Sequence, residues 1–433
     1  MTELKTPSSK AVLVRTPWKR NLITFLMVFG PGLIVMEADN DAGAVSTYVQ
    51  AGAQYGTHLL WIMFLLLPIT YFVQEMVVRL GIATGEGHAA MIFKRFGKWW
   101  GIFSLADLLL VNFMTLVSEF AAISLVFSQM NIDPRESVPL AIGGLVALVS
   151  TGSFRRWERM TIILCLLDLA WFGLAFFSHP NGAEAVRNTL VPNVPPGGIT
   201  SELTFLVIGI VGTTIAPWQL FFQQSCVADK KLRFKDLKWE QLDTFIGACF
   251  TVTVAGCMML VGDLGFRHHI DFKDPAQLAV ALVPFLGPFG KTAILMLMVN
   301  ASILGATAIS LSSSWAWSEV MGWTNTLQRS ILRAPGFYAV YVLCTIAAGG
   351  LVLIPGAPLQ LIITGVQVLA GVILPSAVIF LQLLLNDREL LGDEFVNKPW
   401  NNIINWIIIV VLFILSLVLA AQVLVPDLFP KTA

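Results

Sequence analysis

GPGLIVMEADNDAGA, residues 30–44, begins inside an apolar run and then sets Glu37, Asp39 and Asp41 among small residues, with Gly43 close behind. A carboxylate at the centre of a membrane helix costs roughly 2.5 to 3.5 kcal/mol on insertion scales, so such groups tend to face a cavity, a partner or an ion. Gly43 and the short polar side chains favour a local break in the helix, which frees backbone carbonyls that an ion can use. We interpret this stretch as half of a cation site.

The composition is that of a chain that crosses a membrane many times. Of the 433 residues, 56% are hydrophobic and only 12% are charged, and the mean hydropathy is +0.76. The formal net charge is zero, which predicts neither a nucleic-acid partner nor an acidic substrate. The five cysteines form no CxxC pair and have no zinc-site spacing, so we expect them to pack in the interior.

At roughly 20 apolar residues per crossing, the sequence predicts about eleven membrane spans. An odd number of spans puts the two termini on opposite sides of the membrane. The predicted spans lie near residues 22–55, 58–80, 101–129, 137–152, 160–178, 203–226, 241–263, 288–312, 335–354, 358–385 and 401–425.

Lysine and arginine concentrate in every second loop, and such basic loops stay on the cytoplasmic side. The N-terminal tail is basic too, so we predict a cytoplasmic N-terminus, an outer C-terminus and a place in the cell membrane. The basic residues are Lys5, Lys10, Arg15, Lys19 and Arg20 in the tail, then Arg79, Lys94, Arg95, Lys98, Arg155, Arg156, Arg159, Lys230, Lys231, Arg233, Lys235, Lys238, Arg329 and Arg333.

A second interruption falls at Ala216-Pro217 in the sixth span, five spans after the first. Five is odd, so the two halves have opposite topology, and matched interruptions in inverted halves indicate a transporter site at the midplane. Pro217 frees carbonyls around Thr213. Gln219 and Gln223, four residues apart, share a polar face of the helix that follows.

Asp41 is the strongest candidate for a metal ligand, because hard divalent cations take carboxylate, carbonyl and water oxygens. The Ala38 carbonyl is the nearby backbone candidate. Glu37 lies one turn earlier and shares the face of Asp41, whereas Asp39 points elsewhere if the segment stays helical. For Glu37 and Asp39, an outer vestibule or a structural hydrogen bond remains an equal alternative.

Four stretches carry a resemblance to the NRAMP family of divalent-metal transporters. They are GPGLIVMEADNDAGAVSTYVQAGA from Gly30, RLGIATGEG from Arg79, GATAISLSSSWAWSEVMGW from Gly305 and QVLAGVILPSAVIFLQLLLNDRELLG from Gln367. The resemblance implies an all-α polytopic membrane protein with a LeuT-like fold, in which helices 1 and 6 are broken. It also implies a divalent metal ion as cargo. The corresponding segments are a tail at 1–21, a first five-helix repeat at 22–178, an inverted second repeat at 203–385 and an extra helix at 401–425.

The sequence departs from the family at both breaks. Where the family resembles Asp-Pro-Gly-Asn, this chain has Asp41-Ala42-Gly43-Ala44, and where it resembles Met-Pro-His-Asn, this chain has Ala216-Pro217-Trp218-Gln219. Ala44 and Ala216 therefore remove an amide and a soft thioether, and we expect them to determine selectivity. A roomier site lined by oxygen suits Mg²⁺, which keeps several waters, and also admits Mn²⁺. In this the chain resembles the NRAMP-related magnesium transporters.

The proton pathway implied by the family is incomplete in this chain. Glu119 aligns with the first acidic residue of the third span, but Ala122 stands at the second, and no histidine occupies the sixth span near Trp218. We therefore predict uncoupled import of Mg²⁺, and of Mn²⁺ as well, by alternating access. Glu119 and Trp218 remain candidates for proton binding or for support of the site. The alternative is a proton-coupled Mn²⁺/Fe²⁺ symporter of the main family type.

Other candidates and readings carry less weight. Gln367 matches a tenth-span position that, in the family, reaches the ion; an interhelical hydrogen bond explains it equally well. Asp107, Asp168 and Glu75 are expected to be structural or water-facing. A sodium-coupled symporter of small solutes is disfavoured because Asp41 repels an anion, and an intramembrane enzyme because the chain has no HExxH motif. We expect a monomer in the lipid bilayer, with no enzymatic activity and no cofactor apart from the transported ion.

Overall fold

Helices make up all of the regular secondary structure in residues 17–424, the part of the chain that the computed structural model describes. A helix satisfies its own backbone hydrogen bonds, which a membrane interior requires. In the first half the helices are α1 Pro17–Val28, α2 Pro31–Glu37, α3 Ala42–Tyr55, α4 Leu60–Thr84, α5 His88–Phe96, α6 Lys98–Ser128, α7 Pro134–Val149, α8 Phe154–Leu167, α9 Ala170–Phe177 and α10 Gly182–Leu190. In the second half they are α11 Ser201–Thr214, α12 Pro217–Lys230, α13 Leu237–Arg267, α14 Pro275–Ala281, α15 Val283–Met321, α16 Pro335–Val352, α17 Leu359–Leu384, α18 Arg388–Phe395 and α19 Pro399–Leu424.

Both predicted interruptions are present. The first span leaves the helix between Glu37, where α2 ends, and Ala42, where α3 begins. The sixth span breaks between α11 and α12 at Ile215 and Ala216, and Pro217 starts the new helix, where its missing N–H costs nothing. The structure therefore confirms two broken spans at corresponding places of the chain.

Nine helical segments in the described part of the chain are long and apolar enough to cross a membrane. Two of them join neighbouring helices, α8 with α9 and α11 with α12. The remaining two predicted spans are the broken pair α2 and α3 and the 16-residue α7. With the nine longer segments, they account for the eleven predicted spans, of which α19 is the last.

The structure changes the predicted limits of the N-terminal tail and of the last helix. Residues 1–16 of the predicted tail lie outside the described residues, and α1 already begins at Pro17, a residue suited to the first position of a helix. The extra helix predicted at 401–425 is α19, which begins at Pro399 for the same reason. Residue 425 lies outside the described residues.

The basic loops meet at one end of the molecule. Lys94, Lys231, Arg329 and Arg333 line one surface cavity of about 850 Å³, and we call this end the basic face. The sequence analysis predicts that it faces the cytoplasm.

One long helix supports the first break from behind. α13 packs along both α2 and α3, so it bridges the interruption between them. The approach is close: a Cβ on Gly52 of α3 would lie 2.0 Å from the carbonyl oxygen of Met259 in α13. α6 and α17 also contact α3, and α12 contacts α2, so helices of both repeats surround the break.

Candidate metal site between two broken helices

Asp41 is the N-cap of α3. Its Oδ1 accepts a hydrogen bond from the N–H of Ala44 at 2.8 Å, and only 2% of its surface is exposed. The positive end of the α3 dipole lies at this position and favours a carboxylate there. Asp41 is thus a buried carboxylate that the chain itself holds in place, with Ala44 as its backbone donor.

Glu119 of α6 lies against Asp41. Its Oε2 accepts the N–H of Ala42 at 3.2 Å, and its carboxyl faces the Asp41 side chain beside Gly305, where a Cβ would lie 2.6 Å from Asp41 Cβ and 3.1 Å from Glu119 Oε1. In a continuous helix the N–H of Ala42 would bond to the carbonyl of Ala38, four residues earlier. Glu119 takes that donor, so the Ala38 carbonyl at the break is released from helical pairing. The Oε1 atom of Glu119 is buried without a protein partner.

Asp39 enters the same group. Both of its carboxylate oxygens are buried without a protein partner, and the side-chain amide of Gln219 lies next to it. Gln74 of α4 orients that amide by donating its Nε2 to the Oε1 of Gln219 at 2.9 Å. The Nε2 of Gln219 is left without a partner. Sequence reasoning set Asp39 aside, and the only signal for it was its spacing of two residues from Asp41.

Gln367 of α17 closes over the start of α3. A Cβ on Gly43 would lie 1.6 Å from the Nε2 of Gln367, so position 43 admits only glycine while this amide is in place. That Nε2 is buried and has no protein partner. The Gln367 amide therefore lies against Gly43, two residues after Asp41, and its Nε2 is free to donate a hydrogen bond.

The second break supplies smaller groups. Ala216 is 3% exposed, and its carbonyl accepts the N–H of Gln219 at 3.1 Å. The Oγ1 of Thr213 is buried without a protein partner. Trp218 is fully buried, and its carbonyl accepts the hydroxyl of Ser312 at 3.1 Å, so its backbone ties α12 to α15.

Two predicted ligands face α13 rather than Asp41. The Nε2 of Gln223 donates to the Oγ1 of Thr244 at 3.0 Å. Glu37 accepts hydrogen bonds from Asn40 Nδ2 and Thr251 Oγ1, both at 3.1 Å. The loss of helical geometry after Glu37 turns the chain, so Asp39, not Glu37, is beside Asp41.

The structure thus brings together Asp41, Ala38, Ala44, Glu119 and Gln367, with Gln219 joined to them through Asp39. Within residues 17–424, no group of three or more His, Cys, Asp or Glu side chains is arranged to hold a metal ion. A metal ion at this break therefore depends on one or two carboxylates together with backbone and amide oxygens, which is a set that suits hard cations.

A polar cavity approaches the break from the face opposite the basic one. It has a volume of about 430 Å³ and is lined by α3, α11 and α17, including Thr47, Gly209 and Thr364. Thr47 lies one helical turn beyond Gly43, and Thr364 lies three residues before Gln367. The Gln367 amide therefore stands between this cavity and Asp41.

The basic side of the break is closed by charged contacts. Lys230, at the end of α12, donates to the carbonyls of Val28 and Phe29 at 2.6 and 3.0 Å. The same ammonium pairs with Glu158 of α8 at 2.6 Å. Asp243 of α13 caps the start of α2, where its Oδ2 accepts the N–H of Gly30 at 2.9 Å and of Gly32 at 2.8 Å.

A neutral histidine attaches the surface helix α5 to α12. The Nδ1 of His88 lies 2.8 Å from the Oε1 of Gln224, and its ring meets Phe221 edge-on at 4.8 Å between centroids. Burial lowers the pKa of His88 to about 4, so the ring is uncharged near neutral pH. The connection between α5 and α12 therefore adds no charge close to the second break.

Comparison with known proteins extends over nearly the whole chain. A sequence model of the family described as "Natural resistance-associated macrophage protein-like" (Nramp) matches residues 32–422. The divalent metal cation transporter MntH of Staphylococcus aureus (strain bovine RF122 / ET3-1) is 28% identical, and the match covers 92% of this chain and 91% of that protein.

Solved structures share the fold at low identity. A crystal structure of the Eremococcus coleocola manganese transporter, in complex with an aromatic bis-isothiourea compound, matches with a TM-score of 0.76 and 19% identity over 97% of this chain and 89% of that one. Mhp1, a nucleobase-cation-symport-1 family transporter, matches with a TM-score of 0.58 and 12% identity over 94% of each chain. The fold is LeuT-like, as the sequence predicted, and because the family match spans most of its length, this chain is a member of the Nramp family.

Proposed function

We propose that this protein carries divalent metal ions across the cell membrane by alternating access, with Mn²⁺ as its principal cargo and with protons coupled to the movement. The observation that carries the proposal is the Asp41–Glu119 carboxyl pair at a helix break where the Ala38 carbonyl is released. The names of the relatives, a divalent metal cation transporter and a manganese transporter, support the same cargo.

The ligands proposed for the ion are oxygens. Asp41 supplies the charge, Asp39 a second carboxylate, and the Ala38 carbonyl a backbone ligand. The amides of Gln219 and Gln367 lie close enough to contribute, each by its carbonyl oxygen after a rotation, or through a water. Carboxylate, carbonyl and water oxygens suit Mn²⁺ as well as Mg²⁺.

The proposal of proton coupling comes from the pair itself. Two carboxyl groups within hydrogen-bonding reach are held together best when one proton lies between them, because two adjacent negative charges repel. A divalent ion bound to Asp41 would leave that proton on Glu119, from which it can be released on the same side as the ion. Coupling through Glu119 is the alternative that the sequence analysis kept open, and it needs no histidine on the sixth span.

Uncoupled Mg²⁺ transport is the second candidate, and it has an observation of its own. Ala44 and Ala216 are small, buried and without side-chain ligand atoms, so neither position supplies sulfur or an amide oxygen. Mg²⁺ dehydrates reluctantly and keeps several waters in its sites. Entry of a divalent ion without protons would be driven by the membrane potential, worth about 4.6 kcal/mol per 100 mV for two charges.

We further propose a monomer that needs no cofactor and has its basic face in the cytoplasm. Uptake into proteoliposomes, with Mn²⁺ and Mg²⁺ offered separately while internal pH is followed, tests the whole proposal. Mn²⁺ entry accompanied by acidification supports coupled transport through Glu119. Mg²⁺ entry without acidification supports the second candidate, and uptake of neither ion contradicts both.

A further inference from the structure

A second pair of carboxyls lies on the other side of the same break. Glu37, the last residue of α2, faces Asp168, which directly follows α8, where α2 and α8 pack against each other. Glu37 is fully buried and Asp168 is 1% exposed. Neither carboxyl takes part in any of the ion pairs found in the described part of the chain.

Neutral oxygen groups surround this pair. Thr251 of α13 places its hydroxyl 3.1 Å from Glu37 Oε2. Asn300 of α15 donates its Nδ2 to Asp168 Oδ1 at 3.1 Å, which brings the Asn300 amide to the pair. The Oδ1 of Asn300 and the Oδ2 of Asp168 are both buried without a protein partner, and Asn300 is only 6% exposed. Asp168 therefore keeps one carboxylate oxygen with free lone pairs, and the Asn300 amide, which now donates Nδ2 to Asp168 and to the carbonyl of Leu164, would offer its free Oδ1 after a rotation.

The charges at this position need a counter-charge. Two adjacent carboxylates inside a membrane protein are strongly unfavourable unless a proton or a cation balances them. The C-terminal end of a helix carries negative partial charge, so the position of Glu37 at the end of α2 adds to the penalty. A divalent cation balances two carboxylates in one step, and the set of two carboxylates, a hydroxyl and an amide oxygen suits a hard ion.

We propose that Glu37 and Asp168 form a second divalent-cation site, completed by the oxygens of Thr251 and Asn300. It lies about one helical turn from Asp41 toward the basic face, on the α13 side of the break. An ion that leaves Asp41 toward that face meets this site next. The inference rests on the proposed transport of divalent ions.

The test is the number of Mn²⁺ ions bound by the purified full-length protein in detergent, measured by equilibrium dialysis up to millimolar Mn²⁺. The wild type is expected to bind two ions, Asp41→Ala one, Asp168→Asn one, and the double variant none. Asp107→Asn is the matched control: this carboxylate of α6 accepts a hydrogen bond from Ser376 of α17, belongs to neither pair, and its loss should leave two ions bound. Thermal unfolding of each variant without Mn²⁺ establishes that it is folded.

A second variant leaves both carboxyls untouched. Thr251→Val removes only the hydroxyl, and we expect it to weaken the second ion about tenfold, while Thr251→Ser restores the binding. One bound ion in the wild type, lost entirely in Asp41→Ala, would overturn the second site and leave the proposed function standing. Transport that persists in Asp41→Ala would instead overturn the proposed function, whatever the number of ions bound.

Discussion

The two carboxyl pairs beside the first break carry the same charge in opposite surroundings. Asp41 and Glu119 accept backbone N–H groups at the start of α3, where the helix dipole favours negative charge. Glu37 and Asp168 lie at the end of α2 and are contacted by neutral side chains, Thr251 and Asn300 among them. The first pair is thus stabilised as an anion before any ion arrives, whereas the second depends more on a cation. If both proposed sites bind ions, we expect the first pair to hold its ion more loosely, so that an ion is drawn from Asp41 toward Glu37.

The largest expected effect comes from removing the charge of the first pair. Asp41→Ala should lower Mn²⁺ uptake into proteoliposomes at least about 100-fold, since losing a charged ligand costs about 3 kcal/mol. Asp41→Asn keeps an oxygen that can accept the N–H of Ala44. This variant therefore preserves the helix cap and removes only the charge that would bind the ion. If Asp41→Asn transports like the wild type, the carboxylate is not the ligand and the contrast between the pairs disappears.

A smaller effect is expected from disturbing the amide that covers the first pair. Gly43→Ala forces a methyl group into the position of the Gln367 amide, and overpacking of about 2 kcal/mol should reduce uptake about 30-fold. The matched control is Gly365→Ala on α17, where a Cβ meets nothing within 4 Å. Gln367→Ala combined with Gly43→Ala should recover part of the loss, and a further loss in the double variant would contradict the steric explanation.

Glu119→Gln tests whether the first pair holds a proton. The glutamine keeps an oxygen for the N–H of Ala42 but cannot exchange a proton. We expect Mn²⁺ uptake about tenfold lower, with acidification of the vesicle interior abolished. The measurement is internal pH during uptake, with Asp107→Asn as the comparison, because this carboxylate lies outside both pairs and its loss should leave acidification intact. Acidification that survives in Glu119→Gln would show that the Asp41–Glu119 pair does not carry the coupled proton.

The smallest effect is a change of ion preference at the second break. Ala216→Met adds a thioether, which suits transition metals better than Mg²⁺, and should raise the ratio of Mn²⁺ to Mg²⁺ uptake about threefold. Ala216→Leu adds a similar volume without sulfur and serves as the control. An equal shift in both variants would mean that size, not sulfur, determines the preference.

Much of this architecture could be predicted from the sequence because its signals are local. Acidic and glycine residues in an apolar run predicted the first break, Pro217 predicted the second, and the spacing of apolar runs predicted the spans. Helix length alone does not identify the first span, because its two halves, α2 and α3, have only 7 and 14 residues.

The orientation of individual side chains was beyond sequence reasoning. The expectation that Glu37 shares a face with Asp41 assumed a helix that continues, but the chain leaves the helix at Ala38, which brings Asp39 beside Asp41 instead. Asp168 and Asn300 lie 131 and 263 residues from Glu37 along the chain, so only the packing of α8 against α2 and α15 brings them together. Local patterns therefore locate the break, and tertiary packing decides which groups face it.

The contacts of Lys230 also affect how the basic side can open. One ammonium group there satisfies two backbone carbonyls and one carboxylate, all partly buried. If Lys230 moved away through a dry interior, three acceptors would be stranded, each at about 1 to 3 kcal/mol. Water must therefore arrive as the lysine departs, which makes the hydration of the exit and its widening a single event.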